Sequence, residues 1–282
     1  MAYEIKVGSV FDKIKEIGDE SIDCVVTSPP YFNLRDYGKE SQIGTEKSLE
    51  EYIKNMVSVF EEVKRVLKPT GTVWLNLGDT YKDKNLLFVP HRVAIALQDA
   101  GWICRNDIVW EKSNAMPMPV KDRLVNSHEY LFLLTKQKKY FYDVEAIREP
   151  YTEPLHRWGG TQLVKDENAT SKWDEGTGQN SYRERSLRPN KNGKHKRTVW
   201  RTATSYHKGV HCAVYPPSLI EPCILAGSPK GGMVLDIFAG SGTTGGVAEK
   251  HGRNSILIEL NEEYAKSIPE RIRKIVEEGV TR

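Results

Sequence analysis

Four residues at the end of one apolar run carry the most specific chemistry in this 282-residue chain: Ser28-Pro29-Pro30-Tyr31, following Ile22-Asp23-Cys24-Val25-Val26. Two prolines in succession fix two φ angles and remove two backbone N–H donors. Each also pushes the residue before it away from helical geometry, so the chain stays extended past the strand. A rigid backbone then offers carbonyls and the Ser28 hydroxyl as acceptors, with the Tyr31 ring alongside. This set suits a flat ring bearing an exocyclic amino group, whose NH2 donates to the acceptors while the ring stacks on Tyr31. The same residues also suit a plain strand-ending turn with a buried tyrosine.

A second stretch, Met233-Val234-Leu235-Asp236-Ile237-Phe238-Ala239-Gly240-Ser241-Gly242-Thr243-Thr244-Gly245, reads as apolar strand, glycine-rich turn and helix start. Such a turn lets a nucleotide-like ligand approach the backbone closely. One helix length later, Ser255-Ile256-Leu257-Ile258-Glu259 ends in a carboxylate, which can accept hydrogen bonds from both hydroxyls of a ribose. Gly240, Gly242 and Gly245 also fit GxGxxG, so spacing alone leaves open nicotinamide or flavin binding, or a turn with no ligand.

Together the two motifs resemble those of the amino-methyltransferases of DNA, which use S-adenosylmethionine. Val26-Thr27-Ser28-Pro29-Pro30-Tyr31 is similar to the family's catalytic motif in the form typical of N4-cytosine enzymes, and Asp236 to Gly242 to its cofactor motif. Catalytic motif first and cofactor motif last is the order of the family's beta group. Gly71 to Asp79, His128 to Thr135 and His211 to Pro217 also resemble it, whereas residues 145 to 208 read as private to this chain. Gly8-Ser9 stands where many relatives carry Gly-Asp near the cofactor adenine.

The resemblance implies a Rossmann-like α/β methyltransferase fold with a mostly parallel sheet, a terminal antiparallel hairpin and a circularly permuted motif order. It implies Ser28, Pro29, Pro30 and Tyr31 as catalytic residues, and Pro216, Asp236, Phe238, Ala239, Gly240, Ser241, Gly242, Thr243 and Glu259 as cofactor contacts. The expected substrate is double-stranded DNA, with cytosine N4 ahead of adenine N6. A restriction-modification setting follows, in which a cognate restriction endonuclease and a homodimer are the partners to look for. An aromatic amine is a poor nucleophile, so the Ser28 side chain and the Pro29 carbonyl would accept its protons and turn its lone pair toward the methyl group. The base must leave the duplex to reach them. Pro222-Cys223 resembles the nucleophile pair of C5-cytosine enzymes but lies within the apolar run Leu219 to Ala226, where a buried structural cysteine is expected.

Both motifs need strands to hold them. Strands are expected at Glu4–Val7, Ile22–Val26, Thr72–Leu77, Trp102–Trp110, Met233–Asp236 and Ser255–Glu259, and helices at Phe11–Ile17, Ser48–Leu67, Phe88–Ala100, Ser218–Ala226 and Glu262–Val276. Tyr130–Thr135 and Tyr140–Tyr142 flank Lys136-Gln137-Lys138-Lys139 and read as a hairpin. In a parallel sheet the functional loops gather at the carboxyl ends of the strands, so the two motifs meet if their strands are neighbours. Asp79 is expected at the same edge, as a cap or turn residue or as part of the site.

Residues 1–144 and 209–282 thus read as the catalytic and cofactor halves of one domain. Between them, residues 145–208 are polar, glycine-containing and without apolar period, an irregular target-recognition insertion. From Arg183 to Lys208 there are nine Lys or Arg and one acid, Glu184, interleaved with Tyr182, Trp200 and Tyr206. Arg183, Arg185, Arg188, Lys191, Lys194, Lys196, Arg197 and Arg201 are the expected DNA contacts, although the same composition describes a solvated loop. Four scattered cysteines, no apolar run of 18 residues and no signal-like start point to a reducing cytoplasm without membrane span or metal, 39% hydrophobic residues suffice for a core, and the resemblance implies a prokaryotic or phage setting. A non-catalytic nucleic-acid-binding protein would explain the basic stretch but neither motif.

Overall fold

The computed structural model describes residues 2–36, 38–39, 42–150, 192–204 and 214–278. The chain divides into two compact units, Met1–Asp143 with Thr198–Arg282, and Val144–Arg197.

The larger unit is built on an eight-stranded sheet. Its spatial order is β1 (Tyr3–Val7), β10 (Asn254–Glu259), β9 (Met233–Asp236), β2 (Ile22–Thr27), β3 (Leu67–Leu77), β7 (His128–Thr135), β6 (Ile103–Lys112) and β8 (Val199–Thr202). The first five run parallel, β7 is antiparallel to both β3 and β6, and β8 is parallel to β6. A separate two-stranded ladder pairs β4 (Tyr81–Lys82) with β5 (Asn85–Leu86).

The central strands are near-continuous apolar runs because both sheet faces are covered. In β10, Ile258 packs into a cluster with residues of α1 (Val10–Lys13), α2 (Leu49–Val66) and α3 (Val89–Asp99). Its neighbour Leu257 packs instead with Ile268 and Ile272 of α6 (Glu262–Glu278), since successive side chains of a strand point to opposite faces. In α2 the buried Tyr52, Met56, Val59, Phe60, Val63 and Val66 recur at helical spacing, and the Ser48 hydroxyl caps the first turn by accepting the Glu51 N–H at 3.1 Å. Two shorter helices, α4 (Pro217–Gly227) and α5 (Thr243–Lys250), flank β9 in sequence.

The sheet departs from expectation in three places. The hairpin of residues 130–135 with 140–142 does not form: β7 already has β3 on one side and β6 on the other, so neither edge is open. The Phe141 N–H donates instead to the Thr70 carbonyl at 2.8 Å and the Asp143 N–H to the Ala226 carbonyl at 3.0 Å; at that end Thr135 of β7 pairs with Thr72 of β3 and with Ile103 of β6, both antiparallel. Strand β3 starts at Leu67 rather than Thr72, with a register shift against Ile22 and Cys24 that absorbs the Pro69-Thr70-Gly71 interruption. Strand β8 forms inside the polar stretch because Trp200 buries against Trp74, ring centroids 6.4 Å apart.

Candidate active site

Strands β2 and β9 are direct neighbours, with Cys24 paired to Val234 and Val25 to Leu235. The Thr27 hydroxyl at the end of β2 donates to Asp236 Oδ1 at the end of β9, 2.7 Å away. The Ser-Pro-Pro-Tyr loop and the glycine loop therefore leave the sheet side by side and line one cavity of about 680 Å³.

On the glycine side, Phe238, Ala239, Gly240, Ser241, Thr243 and Glu259 line this cavity, together with Gly8, Ser9 and Tyr215. Gly240 and Gly242 take φ of +53° and +83°, a region that glycine enters without strain. Gly242, Asp236 and Pro216 do not line the cavity. A Cβ on Gly242 would sit 2.6 Å from Ile268 Cγ2, so this glycine lets the loop close on α6. Asp236 is fully buried and its four acceptor positions are taken by protein donors: Thr27 and the Phe238 N–H at Oδ1, Tyr215 (2.8 Å) and Thr244 (2.6 Å) at Oδ2. Burial still outweighs these donors and raises its carboxyl above the usual range. Pro216 directly precedes α4 and follows Tyr215.

Glu259 is 8% exposed. Its Oε2 accepts the Gly240 N–H at 2.7 Å and its Oε1 the Asn261 N–H at 2.8 Å, which leaves acceptor capacity on both oxygens. Burial pushes its carboxyl up to about 7, against the opposing pull of those two amides. A pyrophosphate brought to this turn would meet a carboxylate where a dinucleotide site needs a free amide. A ribose diol, which donates, beside a group without phosphate fits these acceptors better, and S-adenosylmethionine has that form.

On the proline side, Ser28, Pro29, Pro30 and Tyr31 all line the cavity. The Pro30 carbonyl accepts the Tyr52 hydroxyl at 3.0 Å, which ties the loop to α2, while the Pro29 carbonyl takes no donor from the described residues. The Tyr31 ring lies so close to Gly78 that a Cβ there would be 2.5 Å from Cε2. Its hydroxyl donates to Glu129 Oε2 at 2.5 Å and accepts from Asn76 Nδ2 at 2.8 Å. Burial, and then the neighbouring Glu129 carboxylate, hold this phenol well above its ordinary range, so it remains a donor. Asn76 Nδ2 also reaches Ser28 Oγ at 3.3 Å, and Glu129 Oε1 accepts from Lys112 at 2.5 Å.

Asn76, Lys112, Glu129 and Tyr215 are among the cavity residues that sequence reasoning gave no role. A polar residue ending an apolar strand was the available signal for Asn76 on β3. Glu129 is the second residue of β7, inside the stretch His128 to Thr135 that resembles the family, but no spacing there singles it out. Asp79 caps instead: its Oδ1 accepts the Thr80 and Val89 N–H groups at 2.9 and 3.0 Å, at the start of α3. Cys223 is fully buried in α4, away from the cavity. Of the basic residues, Arg183, Arg185, Arg188 and Lys191 lie outside the described residues. In the smaller unit Lys196 pairs with Glu149 at 3.1 Å and the Lys194 backbone bridges to Glu149, with Arg197 at its boundary; in the larger unit Arg201 on β8 lies 3.3 Å from Glu111. Among the described residues no helix is long and apolar enough to cross a membrane.

Residues 22–270 match the profile of the DNA methylase family. The chain is 41% identical to the type II methyltransferase M.SmaI of Serratia marcescens, over 95% of this chain and 90% of that protein. It is 39% identical to the type II methyltransferase M.Cfr9I of Citrobacter freundii, over 91% and 83%. Among solved structures it is similar in fold to the cytosine-N4-specific PvuII DNA methyltransferase, with a TM-score of 0.69 and 20% identity over 99% of this chain and 93% of that one. A Thermus thermophilus protein solved in complex with S-adenosyl-L-methionine gives 0.62 and 22% over 98% and 96%.

Proposed function

Because this chain belongs to the DNA methylase family, we propose that it moves a methyl group from S-adenosylmethionine to the N4 amine of a cytosine flipped out of duplex DNA. Methylation of an exocyclic amino nitrogen of DNA comes with the family; cytosine as the target is our choice. The observation that carries the reading is the shared cavity: an amine-accepting loop and a ribose-accepting loop leave adjacent parallel strands and face the same space.

S-adenosylmethionine supplies an electrophilic methyl group on a positively charged sulfur. Glu259 accepts its ribose hydroxyls, and the turn from Phe238 to Ser241 fits around it. On the other wall Ser28 Oγ and the Pro29 carbonyl would accept hydrogen bonds from the two N4 protons, which draws the nitrogen toward tetrahedral geometry and aims its lone pair, and one of those protons is lost to water once the nitrogen carries the methyl group. The Asn76 amide donates to Ser28 Oγ and so leaves that hydroxyl oriented for the incoming amine. Tyr31, backed by Gly78 and held at its hydroxyl by Glu129, is a fixed platform on which the flipped base stacks.

The choice of cytosine rests on Ser28, whose short hydroxyl both donates and accepts and so serves an amine beside the acceptor N3. DNA from cells expressing the protein is to be digested to nucleosides and analysed by mass spectrometry. N4-methylcytosine is the expected product. N6-methyladenine alone would overturn the base assignment and leave the amino-methylation mechanism in place.

A further inference from the structure

Lys112, the last residue of β6, lines the same cavity as Ser28 and Tyr31. Its ammonium lies 2.5 Å from Glu129 Oε1 and 5.2 Å from the centre of the Trp110 ring, two contacts that fix where the charge sits. An ammonium has three N–H donors. Among the described residues Glu129 takes one and no other side chain or carbonyl takes the remaining two. Glu129 Oε2, across the same carboxylate, accepts from Tyr31 and from Asn76, and Asn76 reaches Ser28 Oγ. A continuous hydrogen-bonded chain therefore runs from an acceptor group, Ser28, to an uncommitted donor, Lys112, around the rim of the Tyr31 platform.

Cytosine presents the complementary order along one edge: the NH2 donor at N4, the acceptor N3, and the carbonyl acceptor O2. Adenine offers an NH2 donor and the acceptor N1, and then a C–H that accepts nothing. With the amine held at Ser28, the O2 end is what a donor on the far side of the base would meet. We propose that Lys112 donates to O2 of the target cytosine and is a specificity-determining residue of this site. The inference rests on cytosine being the target. In the presence of adenine the donors that Glu129 leaves over would face a C–H in place of an acceptor, the situation that makes a polar pocket reject an analogue.

Once the modified site has been mapped, duplex oligonucleotides carrying either cytosine or 2-thiocytosine at that position are compared in single-turnover methyl transfer. The thio analogue keeps N3 and the amine and replaces O2 by a weaker acceptor. The wild-type protein is expected to prefer cytosine by about 10- to 100-fold. Lys112→Met is expected to lose a similar factor on cytosine and to treat the two bases nearly alike. Where that variant does not fold, Lys112→Gln, whose reach is shorter, makes the same comparison with the same reading. Equal wild-type rates on the two bases overturn the proposal, as does a variant that keeps the full preference, the outcome if the ammonium touches a phosphate of the flipped nucleotide. Wild-type product yielding only N6-methyladenine on natural DNA is a separate result, one that overturns the choice of cytosine itself.

Discussion

In the role proposed for it, Glu259 has to be buried to shape the glycine turn and ionised to accept a ribose diol, and the two requirements conflict near neutral pH. Its carboxyl is pushed from 4.5 up to about 7 by burial. A folded-state value above the unfolded one means that the ligand-free fold is favoured while the acid is protonated, and loses that advantage as pH rises from about 4.5 through about 7. The loss is about 3 kcal/mol at its fullest. Ribose hydroxyls donate to the ionised form, so cofactor binding should release a proton below pH 7 and tighten as pH rises toward 8. Calorimetry of S-adenosylmethionine binding in buffers of different ionisation heat reads this directly, and Glu259→Gln should bind more weakly with little dependence on pH. A wild-type affinity flat from pH 6 to pH 8 would contradict the role.

At the scale of elements, the glycine turn shows a division of labour among residues that look alike in sequence. Gly240 gives its amide to Glu259, whereas Gly242 gives space to Ile268. Gly242→Ala must therefore place a methyl 2.6 Å from Ile268 Cγ2 at a φ of +83°. It should lower stability by about 1–3 kcal/mol, read as an earlier thermal midpoint without cofactor. An unchanged midpoint would count against the close packing of turn and helix. The parallel half of the sheet and both motif loops were legible because apolar runs, prolines and glycines act locally. The cofactor loop reads from Met233 to Thr243 with no help from the rest of the chain, and α2 is announced by its own period. The hairpin was misread because residues 140–142 have the composition of a strand, while the deciding fact, that both edges of β7 are occupied, belongs to distant β3 and β6. Glu129 and Lys112 escaped for the same reason: they lie 17 residues apart, and only the β6–β7 register brings their side chains together.

For the whole molecule, the basic stretch from Arg183 to Lys208 is our proposed DNA contact, and its members differ in their ties. Lys196 is engaged with Glu149. Replacing Arg183, Arg185, Arg188 and Lys191 together by Gln should weaken DNA binding and flatten the dependence of log affinity on log salt by about 0.9 for each phosphate no longer neutralised. Affinity for S-adenosylmethionine should not change. A salt series with an unaltered slope would make this stretch a solvated loop. The sheet order carries a consequence for how the protein comes into being. β9 and β10, made last, are not added at an edge but slot between β1 and β2, made first. A chain still emerging from the ribosome thus holds two strands that cannot join each other, each with an unpaired edge, until residue 259 has been added. A polypeptide cut short before that point lacks Glu259 and leaves β1 and β2 apart, so in the proposed role it is no weaker copy of the enzyme but one without a place for the methyl donor.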